Sequence, residues 1–273
     1  MSMATITKLK NANFSGQGLP NINPFVALSD AEFAFDFRNR SNRLADLAGK
    51  HTLTAYRQDI AGGQTRVVDP TIVFDANGGL GITVQLGYLQ IDMPVWTIPI
   101  DGSRQFSILV VGGYSGIPFP AGKIAGATPV AASLLDCGTG VGSKGLSLEV
   151  NTQLHRTGAR VKSGALNLFN DQSPDSRTTF RILTFDGTTW TLDNRTLGTI
   201  ITKTNADLGI TGTITPDTAH VANVVMGQFH STSTLNGLYP QLNQLVVWNR
   251  VMTQAEKDDQ YARSKAVLSS LGI

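Results

Sequence analysis

A sugar ring offers one apolar face and a rim of hydroxyls, so a glycan site needs aromatic platforms beside amides and carboxylates. Trp96, Tyr114, Trp190 and Tyr239 are the side chains that could serve as platforms. Trp190 stands among Thr188, Thr189 and Thr191 in a hairpin, where partial exposure is expected. Trp248 ends a strand and is expected in the core. Glycoside hydrolysis needs two carboxylates at a set separation. Glu149 stands alone in Ser147-Leu148-Glu149-Val150-Asn151, with no acid two residues away. Glu32 and Asp36 share a strand, but Phe35 and Phe37 mark that strand as structural. Glu149 with an acid on a facing strand is the remaining route to an endoglycanase or lyase.

Other chemistries lack their residues. His51, His155, His220 and His230 are far apart and show no metal-binding spacing. Cys137 is the one cysteine, so no intramolecular disulfide forms, and its apolar surroundings predict a buried, inert thiol. Gly138-Thr139-Gly140-Val141-Gly142 lacks the Lys-Ser/Thr pair of a phosphate loop. Net charge is +2 with a pI near 8.7, and Arg38, Arg40 and Arg43 are interrupted by Asn and Ser. No basic stripe results, which argues against a nucleic-acid partner. No stretch is apolar enough to span a bilayer, and Met1–Lys8 carries no signal-peptide core, so synthesis in the cytoplasm without membrane insertion is expected.

The elements that would hold these residues are strands. Hydrophobic residues make up 41% and charged residues 15%, a balance that suits a folded core. Phe33, Phe35 and Phe37 alternate with Ala34 and Asp36, which puts three rings on one face. Phe106, Ile108 and Val110 alternate with Leu109 and Val111, a strand apolar on both sides and therefore central and covered. Asn77-Gly78 and Asp186-Gly187 are turn dipeptides, the second inside the most legible hairpin. Residues 114–143 are rich in Gly, Pro and Ala and read as a long insertion. Thr253 and Glu256 form a capping box that opens the one helix, expected over 254–270. Residues 1–29 have neither strand nor helix period, yet Phe14, Leu19, Ile22 and Phe25 punctuate them. They read equally as an assembly arm and as a cover for one edge of the chain's own sandwich. The domains are thus an arm, 1–29, and a β-sandwich, 30–273.

The last forty residues carry a resemblance. Leu235-Asn236-Gly237, then Gln241 through Arg250, then Met252-Thr253-Gln254-Ala255-Glu256 resemble the closing segment of the concanavalin A-like lectin/glucanase superfamily, in its laminin-G-like branch. Leu44-Ala45-Asp46-Leu47-Ala48-Gly49-Lys50 is similar to that branch's turn, with Ala48 at the usual Ser. The resemblance implies an all-β jelly-roll sandwich, with the arm and the C-terminal helix appended. It also implies a rim site for Ca²⁺, for which Asp46, Asp75 and Asp101 are candidates, although Asp in turns has conformational reasons of its own.

Met3-Ala4-Thr5-Ile6-Thr7-Lys8-Leu9 and Gly18-Leu19-Pro20-Asn21-Ile22-Asn23-Pro24-Phe25 resemble bacteriophage structural subunits. The leading expectation is accordingly a non-enzymatic structural or adhesion subunit of a phage particle, on tail or head. It would sit in the virion, partner other virion proteins and itself as a trimer or larger, and display a lectin-like domain toward host-surface carbohydrate. A free carbohydrate-binding lectin is the alternative, and a glycanase the third reading. No cofactor is required by any of them beyond the Ca²⁺ in question.

Overall fold

The computed structural model describes residues 23–38, 42–58, 66–85, 87–118, 131–138, 145–151, 156–161, 168–170, 178–218, 222–227 and 238–273. They form sixteen strands and one α-helix. In chain order the strands are β1 Ala31–Asp36, β2 Leu53–Gln58, β3 Arg66–Val68, β4 Val73–Ala76, β5 Gly81–Val84, β6 Gly87–Pro94, β7 Phe106–Pro118 and β8 Ala131–Cys137. They continue with β9 Leu146–Asn151, β10 Arg156–Val161, β11 Leu168–Asn170, β12 Thr178–Phe185, β13 Thr189–Asn194, β14 Thr199–Thr204, β15 Asn223–Met226 and β16 Leu238–Trp248. Helix α1 spans Gln254–Leu268.

Two antiparallel eight-stranded sheets stack face to face. The first runs β14-β13-β12-β7-β16-β5-β4, with β1 also on β16; the second runs β11-β10-β9-β8-β15-β6-β2-β3. Alternation sorts the side chains as the sequence predicts. Phe33, Phe35, Phe37, Phe106, Ile108 and Val110 point into the space between the sheets, where they are 0% exposed. Each such burial stabilises the fold by about 1.5–3 kcal/mol. Leu109, Val111, Val246 and Trp248 point outward, into a second core closed by Phe25, Met252, Leu268 and Ile273. The strand that is apolar on both faces is therefore central, and α1 with the preceding residues supplies its cover.

Phe25 belongs to that second core at 1% exposure, so it packs the chain's own sheet and is not an anchor for another subunit. The last part of the expected arm is fastened with it. Gln260 on α1 accepts from the Val26 N–H at 2.9 Å and donates to the Pro24 carbonyl, while Trp248 Nε1 donates to the Val26 carbonyl at 3.1 Å. Phe14, Leu19 and Ile22 lie outside the described residues.

Other expectations are corrected in detail. The α-helix ends at Leu268, where Ser269–Leu271 tightens into a 3-10 turn and Gly272 takes φ +75°. Within the supposed insertion 114–143, β7 runs on to Pro118 and β8 occupies Ala131–Cys137. The small residues of that stretch masked a strand because the signal of β8 is alternation of Leu134 and Leu135 across a bulge, not a clean period of two.

The corner before α1 is an ionic latch. Arg250 donates to both carboxylate oxygens of Glu256, at 2.9 and 2.6 Å, and to Asp30 at 3.0 Å. Glu256 also completes the capping box, accepting from the Thr253 N–H at 2.8 Å. The Arg250 hydrogen bonds lower the Glu256 carboxyl from 4.5 to about 2. A carboxyl held down in the folded chain contributes stability that is complete above its ordinary value and is lost as pH falls through the folded one. Equilibrium unfolding between pH 4.5 and 2 is expected to show falling stability in the native chain. In Glu256→Gln that part of the slope should vanish; an unchanged slope would mean the latch is not formed.

Candidate glycan-binding cleft

One side of the sandwich carries a cleft of ≈ 350 Å³ lined by Glu32, Met93, Trp96, Ser103, Arg104, Gln105 and Asn249. Its residues come from β1, β6, the 95–105 loop and the corner after β16, so only the folded sandwich assembles it.

Trp96 is 3% exposed and packs on Phe33 and Phe106, with ring centroids 6.5 and 5.7 Å away. The Arg104 guanidinium lies 5.0 Å from the indole centroid. Trp96 is therefore no open platform for a sugar. It holds a cation in the cleft by the attraction of its ring quadrupole. Burial lowers Arg104 below the ordinary arginine range, and the charge of the Glu32 carboxylate opposes that shift. Among the described residues Arg104 has no hydrogen-bond or ion-pair partner.

Glu32 gives the cleft its acidic lining. Asn249 donates to its Oε2, and His51 Nε2 stands 3.3 Å from its Oε1. The other imidazole nitrogen, Nδ1, lies 3.0 Å from Asp92, which also accepts from the Thr52 N–H at 2.9 Å and its hydroxyl at 2.7 Å. Those hydrogen bonds, Thr52 first and then His51, keep the Asp92 carboxyl below the usual carboxylate range. An Asp92–His51–Glu32–Asn249 chain thus fixes Glu32, the one carboxylate that lines the cleft among the described residues. The sequence concealed it, because its members are spread over 218 positions and share no motif.

The 95–105 loop is seated on the hairpin turn 186–189. Gln105 Nε2 donates to the Asp186 carbonyl at 3.1 Å. Gly187, at φ +102°, approaches so closely that a Cβ would fall 2.4 Å from Gly102 Cα. Trp190, expected at the surface of this hairpin, is instead 0% exposed. Its ring stacks on Phe185 at 4.0 Å and its N–H reaches Asn205 at 2.8 Å. The flanking threonines face solvent while the strand's alternation turns the indole inward. Tyr114 and Tyr239 lie on the paired strands β7 and β16, but their side chains are outside the described residues.

The three acids suggested for Ca²⁺ are not brought together, and no group of three or more potential ligands occurs among the described residues. Asp46 spends both oxygens on backbone N–H groups, those of Ala34 and Ala48 on one and Lys50 and His51 on the other, at 2.7–3.0 Å. That carboxylate supplies the turn with the hydrogen bond that Ala48 cannot make. Asp75 pairs with Arg43 beside a shallower depression of ≈ 490 Å³. Asp101 accepts from the Ser103 N–H at 2.9 Å, and hydrogen bonds from Ser103 lower its carboxyl. Each of the three acts as a turn former or an ion-pair partner.

Glu149 lies on the outer face of the second sheet at 1% exposure. Burial raises its carboxyl, Arg160 at 3.0 Å opposes the rise, and the charge of Asp136 on the adjacent β8 adds to it. Arg181 crosses the sandwich interior to donate to the Glu149 carbonyl at 3.0 Å. Its burial lowers the guanidinium to about 9.

The seating of the cleft loop is checked by comparing two glycines. Gly187→Ala should cost about 1–3 kcal/mol beyond the strain of positive φ, because backbone must move apart. Gly198→Ala, at φ +64° with nothing within 4 Å, should show that strain alone. Equal melting temperatures for the two variants would refute the close contact.

No protein-family model and no curated protein matches the chain. Among solved structures it is similar to a mutant of HCR/D, with 9% identity and a TM-score of 0.52 over 89% of this chain and 53% of that one. It is also similar to the ligand-binding domain of botulinum neurotoxin serotype D in complex with N-acetylneuraminic acid, with 10% identity, a TM-score of 0.48, and 86% and 51% covered. A third likeness is to Trypanosoma rangeli sialidase in complex with 2,3-difluorosialic acid, with 12% identity, a TM-score of 0.44, and 89% and 34% covered. The chain spans about half the length of the first two and a third of the sialidase. At such identities the likeness is one of fold alone, and the fold is an antiparallel β-sandwich.

Proposed function

We propose that this chain is a carbohydrate-binding domain that acts by binding and not by turnover, with its glycan site at the Glu32–Trp96–Arg104–Asn249 cleft. The observation that carries this reading is the cleft's wall chemistry. A fixed carboxylate, two amides and an exposed hydroxyl surround one depression of ≈ 350 Å³, which suits a ring bearing several hydroxyls. Glu32 is the one carboxylate among the lining residues, whereas glycoside hydrolysis uses two. Glu149, the acid considered for a hydrolase, is held by Arg160 and buried with Asp136 on a different face. The lectin-like sandwich agrees with this reading without requiring it.

Asn249→Ala removes a hydrogen bond to Glu32 and an amide from the wall. In titration calorimetry with whichever oligosaccharide the native chain captures on a glycan array, it should weaken binding about tenfold. Incubation of the native chain with the same glycan should release no reducing ends. New reducing ends that disappear in Glu149→Gln would overturn the binding reading in favour of hydrolysis.

The finer expectation, a bacteriophage virion subunit assembled through its arm, is retained as a proposal on the sequence of residues 1–22, where Phe14, Leu19 and Ile22 recur between Gly, Asn and Pro. Since Asn23 to Asp30 already serve the chain's own packing, the truncation that tests assembly begins at Asn23. The native chain should sediment as a trimer or larger and the truncated chain as a folded monomer. Identical masses would remove the assembly role.

A further inference from the structure

We infer that the cleft selects acidic sugars, with the ligand's carboxylate received by Arg104 and its hydroxyls by Glu32 and Asn249. This rests on the glycan-binding reading and adds the chemical class of the sugar.

Arg104 is the starting point. It is half-buried, stands 5.0 Å from the Trp96 centroid, feels the Glu32 carboxylate of the same cleft only through space, and has no hydrogen-bond or ion-pair partner among the described residues. A partly desolvated cation without a hydrogen-bonded partner costs free energy that the fold must carry. The arginines that carry ion pairs are satisfied differently: Arg38, Arg43, Arg57, Arg160, Arg195, Arg250 and Arg263 each hold a carboxylate at their guanidinium. Trp96 fixes where the guanidinium sits but takes none of its N–H donors, so the donor fork stays available to a planar, two-oxygen anion. The Trp96 indole N–H beneath it is buried and has no hydrogen-bond partner among the described residues.

Glu32 and Asn249 give the cleft the complementary polarity. Glu32 is an acceptor held by Asn249 and His51, and it prefers hydroxyl donors to an anion. A neutral sugar would leave the Arg104 donor fork without an anionic acceptor, and a simple anion would leave Glu32 facing like charge. A ring carrying one carboxylate and several hydroxyls meets both groups, with its carboxylate turned to Arg104 and away from Glu32. Ser103 and Gln105 at the mouth can take further hydroxyls.

The test uses the native chain, Arg104→Gln and Arg104→Lys with glucuronate-, galacturonate- and N-acetylneuraminate-terminated oligosaccharides. Each acidic glycan is paired with its carboxyl-reduced counterpart, and affinities are read by calorimetry. The native chain should bind at least one acidic member about tenfold or more tightly than its reduced partner. Arg104→Gln should bring that ratio to about one, whatever it does to affinity for the reduced partner, and Arg104→Lys should keep part of it because charge remains without the fork. Unchanged far-UV circular dichroism and melting temperature establish that the variants are folded. Equal affinity for acidic and reduced glycans overturns the acidic-sugar inference while the glycan-binding reading stands. A preference that survives in folded Arg104→Gln also overturns it, since the carboxylate is then read elsewhere. Absence of binding to every glycan, acidic or neutral, overturns the glycan-binding reading itself.

Discussion

Everything in this fold hangs on β16, the strand that must bury both of its faces at once. Leu242, Leu245 and Val247 close the space between the sheets, while Val246 and Trp248 reach the second core under α1. On one edge it pairs with β7 along most of its length. On the other it pairs first with β5, through Gln241 and Leu242, and then with β1, from Gln244 to Trp248. The change of partner falls at Asn243, where the register slips. Its carbonyl accepts from the Phe37 N–H at 2.9 Å and its amide donates to the Leu80 carbonyl at 2.7 Å. A Cβ on Gly81 would lie 2.5 Å from that amide, so β5 can start there only with glycine. The bulge thus joins the first and last strands of the domain and lets two short strands share one edge of a long one.

The cover over the second face is held by polar contacts as much as by apolar ones. The buried face of α1 includes Lys257, Gln260 and Ser264 beside Leu268. Ser264 donates to Gln244 of β16 at 2.7 Å, and Gln260 bridges to Ser264 and to the chain at Pro24 and Val26. Such a network demands one register between helix, sheet and N-terminal segment, because each partner left unpaired would be buried without compensation. Arg250 sets the entry angle by tying Glu256 of the helix to Asp30 before β1. The same corner carries Asn249 into the cleft. The fastening of the helix and the acidic wall of the cleft are therefore consecutive residues of one turn.

Much of this was legible in the chain. Phe33, Phe35 and Phe37 announce one buried face because strand side chains alternate, and no other element could satisfy three rings spaced by two. The Asp186-Gly187 hairpin and the Thr253–Glu256 box are local motifs, and each forms where its residues predict. The two-sided apolar run from Phe106 to Val111 required a cover that the sequence did not identify by itself. Trp190 was misplaced because threonine neighbours suggest a surface, whereas burial of an indole is decided by which face its strand position takes. Asp46, Asp75 and Asp101 each sit where a turn needs an acceptor, and nothing local distinguishes that from a metal ligand.

What the sequence determined alone is the class of the fold: period-two patterning, turn dipeptides and one capped helix admit little besides an antiparallel sandwich. What only the tertiary structure decided is the site. Glu32, His51, Asp92, Trp96, Arg104 and Asn249 meet through pairing of the first and last strands and through a loop seated on a distant hairpin. Local patterns follow from backbone geometry within a few residues. Electrostatic environments follow from which remote groups share a desolvated space, and long-range contacts alone set that.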